Sequence, residues 1–224
     1  MLKVFKITLP LLIPVIGLAL LPLCGCDKIK TAIETSEIDF GTITNSVYQN
    51  NYFGLSVTFP QDWSIQDQAE QRRLAATGGK MMYGDDQNKQ AVLKASELRT
   101  VNMFAVFKYP VGSPVQSNPC ILSMAENVSE YPGIKNGSDY LYHVKSQLTS
   151  GRMEVTFPKD IYTTQLGGKD FSVMETSITL GEKTVRQKYY VSVMKGYALA
   201  FIASYATDED AATLQKILDS ITFK

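Results

Sequence analysis

The C-terminal third of the chain is a series of apolar segments separated by very short links, and this pattern constrains the fold most. Five segments are candidate strands, at residues 153–157, 161–166, 171–180, 184–194 and 197–205. The links Gly181-Glu182 and Lys195-Gly196 suit tight hairpins, because glycine adopts positive φ at little cost. Such short links cannot make the crossover that parallel strands require. The sequence therefore predicts an antiparallel meander.

The preceding residues add strands and helices to this meander. Alternating or continuous apolar segments predict strands at 47–60 (two strands about an Asn50-Asn51 turn), 101–110 and 120–128. Helices are predicted at 66–76, ended by Thr77-Gly78-Gly79, at 90–98, at 138–148 with Ser138 as N-cap, and after Thr207, followed by a closing strand at 220–223. The predicted fold class is α+β, with a central antiparallel β-sheet and helices packed on it.

The helix at 90–98 has one apolar stripe and an acidic start. Ala91, Leu93, Ala95 and Leu98 are predicted to face the core, with Val92 as an alternative to Leu93. Asp86, Asn88, Gln90 and Glu97 are spaced like positions 1, 3, 5 and 12 of a calcium loop. Because Ala91 occupies the sixth position, where that loop needs glycine, we interpret Asp85 and Asp86 as the helix N-terminus.

The first 26 residues have the parts of a bacterial lipoprotein leader. Lys3 and Lys6 precede an apolar run that ends in Leu23-Cys24-Gly25-Cys26. An aliphatic residue, a tolerant position and a small residue before cysteine resemble the recognition pattern of lipoprotein signal peptidase. The resemblance covers residues 1–26 and implies that residues 1–25 are removed and that Cys26 carries the lipid. Cys24 departs from the usual Ser, Ala or Thr.

Two alternatives to the lipoprotein interpretation stay open. One is an ordinary signal peptide cut elsewhere, and the other is a transmembrane anchor. The apolar run is shorter than the ~20 residues that span a bilayer and contains Pro10, Pro14 and Pro22, which disfavours the anchor. We therefore predict a leader at 1–25, a lipidated N-terminus and flexible tether at 26–46, and one folded domain at 47–224.

Charge and cysteine content narrow the class of protein. Beyond the leader's two lysines, 20 basic residues face 22 acidic ones, and no run of four basic residues occurs. This argues against a nucleic-acid partner, which calls for a basic patch. With Cys24 in the leader and Cys26 lipidated, only Cys120 remains. No internal disulfide is then possible, and we predict that Cys120 is a buried, unreactive residue.

Most catalytic constellations are absent from the sequence. The single histidine, His143, excludes a three-histidine zinc site, and no Gly-x-Ser-x-Gly elbow accompanies it. Gly167-Gly168 lies at a predicted hairpin and not at the start of a helix, so it is not a phosphate loop. We expect no metal, no cofactor and no catalytic residue among these. Paired carboxylates stay possible, because residues distant in sequence can meet in space.

Two blocks resemble PsbP-like domains and the bacterial lipoproteins related to them. The first is Tyr52-Phe53-Gly54, then the strand 55–59, then Pro60-Gln61-Asp62-Trp63; the second is the last helix followed by Leu218 to Phe223. The blocks bracket residues 48–224, and between them the match is one of element order. The resemblance implies an α/β/α sandwich and a non-enzymatic accessory subunit. Trp63 is predicted to close one end of the core.

Three functions are compatible with these observations. We favour a non-enzymatic binding or accessory module of an envelope complex, held to the non-cytoplasmic side of the inner or outer membrane by its lipid and contacting an envelope protein. A carrier of a small apolar ligand is the second, and it predicts an enclosed apolar cavity. A carboxylate-dependent envelope hydrolase is the third, and it predicts two acids meeting in a cleft.

Overall fold

A computed structural model describes residues 38–181 and 183–224. Within these ranges the helices are α1 Gln68–Tyr83, α2 Gln87–Glu97, α3 Gly137–Ser150 and α4 Asp208–Asp219. The strands are β1 Thr42–Thr44, β2 Val47–Asn50, β3 Leu55–Thr58, β4 Ser64–Ile65, β5 Thr100–Phe107, β6 Cys120–Asn127, β7 Glu154–Thr156, β8 Tyr162–Leu166, β9 Lys169–Leu180, β10 Lys183–Met194, β11 Tyr197–Tyr205 and β12 Thr222–Phe223.

An eight-stranded antiparallel sheet forms the centre of the domain. Its order is β4-β5-β6-β11-β10-β9-β7, and β8 pairs with β9 beside β7. All nine residues of β11 are buried, because the strand is covered on both faces. The α+β class with a central antiparallel sheet is confirmed, and so is the meander from β8 to β11, whereas β7 pairs with β9 and not with β8.

A second, four-stranded sheet packs on one face of the large sheet. Its order is β1-β2-β3-β12, so the N-terminal hairpin pairs with the last strand of the chain. Together with α4 it covers an aromatic core in which Phe104 makes edge contacts with Tyr48 and Phe59, each at 4.9 Å between ring centroids. We call these buried rings the aromatic layer. Trp63 is buried in the same core, as predicted.

Helices α1 and α3 cover the opposite face. Their apolar residues Leu74, Met82, Tyr140, Val144 and Leu148 pack on the alternate residues of β6, β10 and β11. The domain therefore has helices on both faces of its central sheet, with the small sheet beside α4.

The first helix is longer than predicted. The predicted stop at Gly78-Gly79 is wrong, because α1 continues to Tyr83 and residues 81–83 belong to its last turn. Met82 is fully buried in the helical core, and this burial offsets the low helix propensity of the two glycines.

The boundary between tether and domain also differs from the prediction. Thr42–Thr44 pairs with β2, Ile38 is buried, and Asn50 Nδ2 donates to the backbone oxygen of Asp39 at 3.0 Å. The tether therefore does not extend to residue 46. Residues 1–37, with the predicted cleavage and lipidation site, lie outside the described residues.

Helix N-termini follow the predicted chemistry with one exception. Asp86 and Thr207 cap α2 and α4. For α3 the predicted cap, Ser138, is wrong, because Asn136 accepts from the Asp139 amide and Asp139 accepts in return, which completes a capping box.

Candidate functional site

Helices α1 and α2 approach each other closely at a glycine. A Cβ built on Gly79 comes within 2.7 Å of the Leu93 Cδ1 atom, so a side chain there would press on α2. Gln90 holds the pair together, since its Nε2 donates to the backbone oxygen of Gly84 at 3.0 Å and to that of Gly79 at 3.3 Å. Gly79, one of the two glycines interpreted as a helix stop, therefore lies where the neighbouring helix packs.

The predicted buried stripe of α2 is largely solvent-exposed. Ala91 and Ala95 are exposed, and Leu98, just after the helix, is 87% exposed. Leu93 and its predicted alternative Val92 are partly buried, and Ser96 is the buried residue of the helix. The helix is rotated because Leu93 and Ser96 face α1 and β5, which leaves Ala91, Ala95 and Leu98 as an exposed apolar stripe. We call these three residues the α2 stripe.

A cleft of about 370 Å³ lies between α1, α2 and the start of β5. Its lining residues are Ala75, Ala76, Gly79, Gln90, Ala91, Leu93, Lys94, Ser96, Glu97, Thr100 and Asn102. A β-bulge in β5 between Asn102 and Phe104 shapes its inner end. The short side chains of both helices make the cleft wide, and Ala91 connects it to the α2 stripe.

The cleft is not the site that either alternative function requires. It is partly polar and open to solvent, whereas an apolar carrier calls for an enclosed apolar cavity. Glu97 is the one carboxylate among its lining residues, and Asp170 is the one in a second cleft at the N-terminus of α3. Neither cleft brings together the two acids of the hydrolase hypothesis.

The cleft lies toward the end of the sheet at which the described chain begins. Thr100, the first residue of β5, pairs with Glu126 of β6, and Tyr197, the first residue of β11, pairs with Asn127 of β6. Strands β5 and β11 therefore begin at the same end of the sheet. Lys195 lies in the hairpin before β11, and the Tyr52 hydroxyl donates a hydrogen bond to its backbone oxygen at 3.3 Å. Tyr52 follows Asn50, which binds Asp39, so the α2–β5 link and residue 39 lie at the same end of the large sheet.

One polar cluster lies on the large sheet beside the aromatic layer. Glu175 accepts from the Tyr162 hydroxyl at 2.7 Å, from Lys159 Nζ at 3.2 Å and from Lys188 Nζ at 3.3 Å. Partial burial raises the pKa of Glu175, but these three donors outweigh burial and hold that pKa below its ordinary value. Burial and the adjacent carboxylate raise the pKa of Tyr162. A carboxylate stabilised in this way is a poor general base.

A second carboxylate is buried between β6 and α3. Glu126 is 1% exposed and accepts from the Tyr140 hydroxyl at 2.8 Å, while Arg99 Nη2 lies 3.9 Å from its other oxygen. Burial and the Glu126 charge raise the pKa of Tyr140 well above its ordinary value. This group ties α3 to the sheet and opens into none of the clefts described above.

The residues singled out from the sequence are dispersed. Cys120 is fully buried, and burial raises the pKa of its thiol to about 12, so it is an unreactive core residue as predicted. His143 is exposed on α3. Leu23, Cys24, Gly25 and Cys26 lie outside the described residues. The α2 stripe and its cleft are the feature that the sequence prediction missed.

Two searches of the described residues were negative. Over 38–181 and 183–224, no three histidine, cysteine or acidic residues are placed to hold a metal ion. In the same residues, every helix is too short or too polar to cross a bilayer.

Comparison with known proteins gives structural likenesses at low identity. No family model matches the chain, and no curated protein matches it. The structure is similar to the cyanobacterial PsbP, CyanoP, from Synechocystis sp. PCC 6803, with a TM-score of 0.48 and 12% identity over 91% of this chain and 99% of that one.

Two further solved structures are similar. LpqN of Mycobacterium tuberculosis, described as involved in cell envelope biogenesis, has a TM-score of 0.42 and 15% identity over 75% of this chain and 82% of that one. A protein of unknown function from Pseudomonas aeruginosa has a TM-score of 0.41 and 6% identity over 52% of this chain and 78% of that one. Such low scores establish neither family membership nor function for this chain.

Proposed function

We propose that this protein is a lipid-anchored, non-enzymatic binding module of the bacterial cell envelope, with a PsbP-like domain. Cleavage before Cys26 and acylation of its thiol attach the chain to the non-cytoplasmic face of the inner or outer membrane. The Leu23-Cys24-Gly25-Cys26 pattern at the end of an apolar run supports this attachment. Two or three acyl chains bind the protein firmly to the bilayer, because each buried methylene contributes ~0.8 kcal/mol to the free energy of membrane binding.

The α2 stripe is the observation that carries the binding function. Leu98 exposes a large apolar side chain beside two exposed alanines and a cleft of about 370 Å³. Exposed apolar surface next to a partly polar rim is typical of contact sites between proteins. The occupant we propose is an apolar segment of an envelope protein that lies close to the membrane, since Leu98, in the link between α2 and β5, lies at the end of the sheet where residue 39 lies.

Mass spectrometry of the mature chain tests the anchor. The expected product begins at Cys26 and carries acyl groups on it. A mature chain that begins elsewhere, or that begins at Cys26 without acyl groups, contradicts the anchor.

Crosslinking in the cell followed by purification in mild detergent tests the binding site. We expect one reproducible envelope partner, lost in Leu98→Asp and retained in Tyr142→Asp. Tyr142 is a matched control because it is 62% exposed on a different helix, α3. Retention of the partner by both variants contradicts the assignment of the α2 stripe.

A further inference from the structure

Five chain segments converge at the end of the domain that contains residue 39. Asn50, at the start of the β2–β3 turn, donates to Asp39, and the Gly54 oxygen at the end of that turn accepts from the Lys224 amide at 2.9 Å. The β10–β11 hairpin contacts Tyr52. The β8–β9 hairpin adjoins β12, since a Cβ on Gly167 would lie 2.8 Å from the Ile221 oxygen. We call this surface, residues 38–40, 51–54, 167–169, 195–196 and 224, the entry end.

Two lysines of the entry end each lie near an aromatic ring. Lys195 Nζ lies 5.0 Å from the centroid of the Tyr52 ring and also donates to the Tyr52 backbone oxygen. Lys169 Nζ lies 5.3 Å from the centroid of the Phe223 ring. Phe40, the next residue after Asp39, is 55% exposed. Rings with polar neighbours and lysines with long apolar stems both favour the boundary between water and lipid headgroups.

The two acids on or beside this surface are already hydrogen-bonded. Asp39 Oδ1 accepts from the Gly41 amide and from Asn50 Nδ2, each at 2.8 Å. Asp170 Oδ1 accepts from Gln165 Nε2 at 3.2 Å. Both acids reduce the positive charge that Lys169, Lys195 and Lys224 place on this surface.

The chain length between the lipid and the domain limits how far this end can lie from the bilayer. Eleven residues lie between Cys26 and Ile38, and the twelve steps from one residue to the next span at most about 40 Å when fully extended. Ile38 is buried in the domain at the entry end. The distance of about 40 Å is therefore the maximum distance between the lipid and the entry end. Any shorter conformation of residues 27–37 brings the entry end closer.

We propose that the entry end rests on the anionic headgroups of the membrane that holds the lipid, and that this contact orients the α2 stripe beside the bilayer. The inference rests on the proposed acylation of Cys26. Lys169, Lys195 and Lys224 attract anionic headgroups, while Phe40 and Tyr52 occupy the interface between headgroups and acyl chains. The opposite end, with Gln61 beyond β3, faces away from the membrane.

Fluorescent probes on the acylated mature protein test this orientation. An environment-sensitive dye is attached to Asn51→Cys on the entry end or to Gln61→Cys at the opposite end, both exposed positions. The labelling is specific, because Cys26 is acylated and Cys120 is fully buried. The proteins are reconstituted into vesicles of phosphatidylcholine with or without phosphatidylglycerol.

The expected result is a blue shift and brighter emission at Asn51→Cys, larger with phosphatidylglycerol, and no change at Gln61→Cys. The pair Lys169→Glu and Lys224→Glu should remove the dependence on phosphatidylglycerol, whereas the matched pair Lys80→Glu and Lys183→Glu should preserve it. All four lysines are exposed, and the control pair lies outside the entry end.

Flotation and mass spectrometry separate failure of the orientation from failure of the anchor. If the acylated protein floats with the vesicles and both probes respond alike, or neither responds, the entry end does not rest on the membrane. The same conclusion follows if only Gln61→Cys responds, or if both lysine pairs abolish the effect. A chain that lacks acyl groups overturns the proposed anchor and this inference together.

Discussion

The aromatic layer and the α2 flank of the domain use apolar residues in opposite ways. In the aromatic layer, rings from both sheets meet edge to face and almost no side-chain surface reaches water. On the α2 flank, Leu93 and Ser96 make the contact with the domain, and the α2 stripe faces solvent. The comparison shows that a periodic apolar pattern identifies the apolar face of a helix. The pattern does not determine whether that face is buried in the domain or exposed at its surface.

The largest expected effect comes from removing a ring of the aromatic layer. Phe104 is 1% exposed and contacts Tyr48, Phe59 and Phe201, so Phe104→Ala should lower the free energy of unfolding by about 3–5 kcal/mol. Urea unfolding measures the loss. Leu98→Ala serves as the comparison and should change stability by less than about 0.5 kcal/mol. Equal losses would remove the distinction between the two regions.

A smaller effect is expected where a helix touches the sheet backbone. A Cβ on Gly137 lies 2.0 Å from the Val191 carbonyl oxygen, so Gly137→Ala forces α3 away from β10 and should cost about 1–3 kcal/mol.

Gly79→Ala is the matched substitution on the α2 flank. Its Cβ meets the end of the flexible Leu93 side chain at 2.7 Å, and alanine favours the helix by about 1 kcal/mol over glycine. We expect a net change well below that of Gly137→Ala in the same urea titration. A larger loss at Gly79 would show that α2 is packed as rigidly as α3.

The contribution of the Glu175 cluster to the stability of the protein should depend on pH. Because the folded-state pKa of Glu175 lies below its ordinary value of 4.5, its contribution to stability is present above that value and is lost as the pH falls through the folded pKa. Glu175→Gln should therefore be less stable than the wild type at neutral pH, by about 1 kcal/mol or less, and the difference should shrink in acid. Thermal unfolding across pH measures it, and a difference independent of pH contradicts the assignment.

The smallest effect on stability is expected at the α2 stripe. Leu98→Asp should leave the free energy of unfolding within about 0.5 kcal/mol of the wild type, because Leu98 is 87% exposed. A large loss in urea unfolding would mean that Leu98 supports the fold, and it would remove the main reason for a binding surface on this flank.

The sheet was predictable because hairpin chemistry and apolar alternation act locally. The hairpins at Gly181 and Lys195-Gly196 follow from residues that accept positive φ. The two glycines of α1 led to a wrong helix end, because α1 continues through both and Gly79 lies where Leu93 of α2 packs. The pairing of β12 with β3 joins the two ends of the chain, so no local pattern predicts it. The α2 stripe could not be predicted from the sequence. Which face of α2 is buried depends on the tertiary contacts of Leu93 and Ser96, and these contacts are not encoded in the local pattern.

Site-specific photo-crosslinking from the α2 stripe tests the central claim most directly. A photoreactive residue replaces Ala95, which is exposed at the centre of the stripe, and the full chain is irradiated in cells. We expect one discrete, saturable adduct with a single envelope protein, absent when the same residue replaces Tyr142 on α3 and lost on adding Leu98→Asp. No adduct at Ala95, or the same adducts at both positions, would contradict the claim that this surface binds a partner.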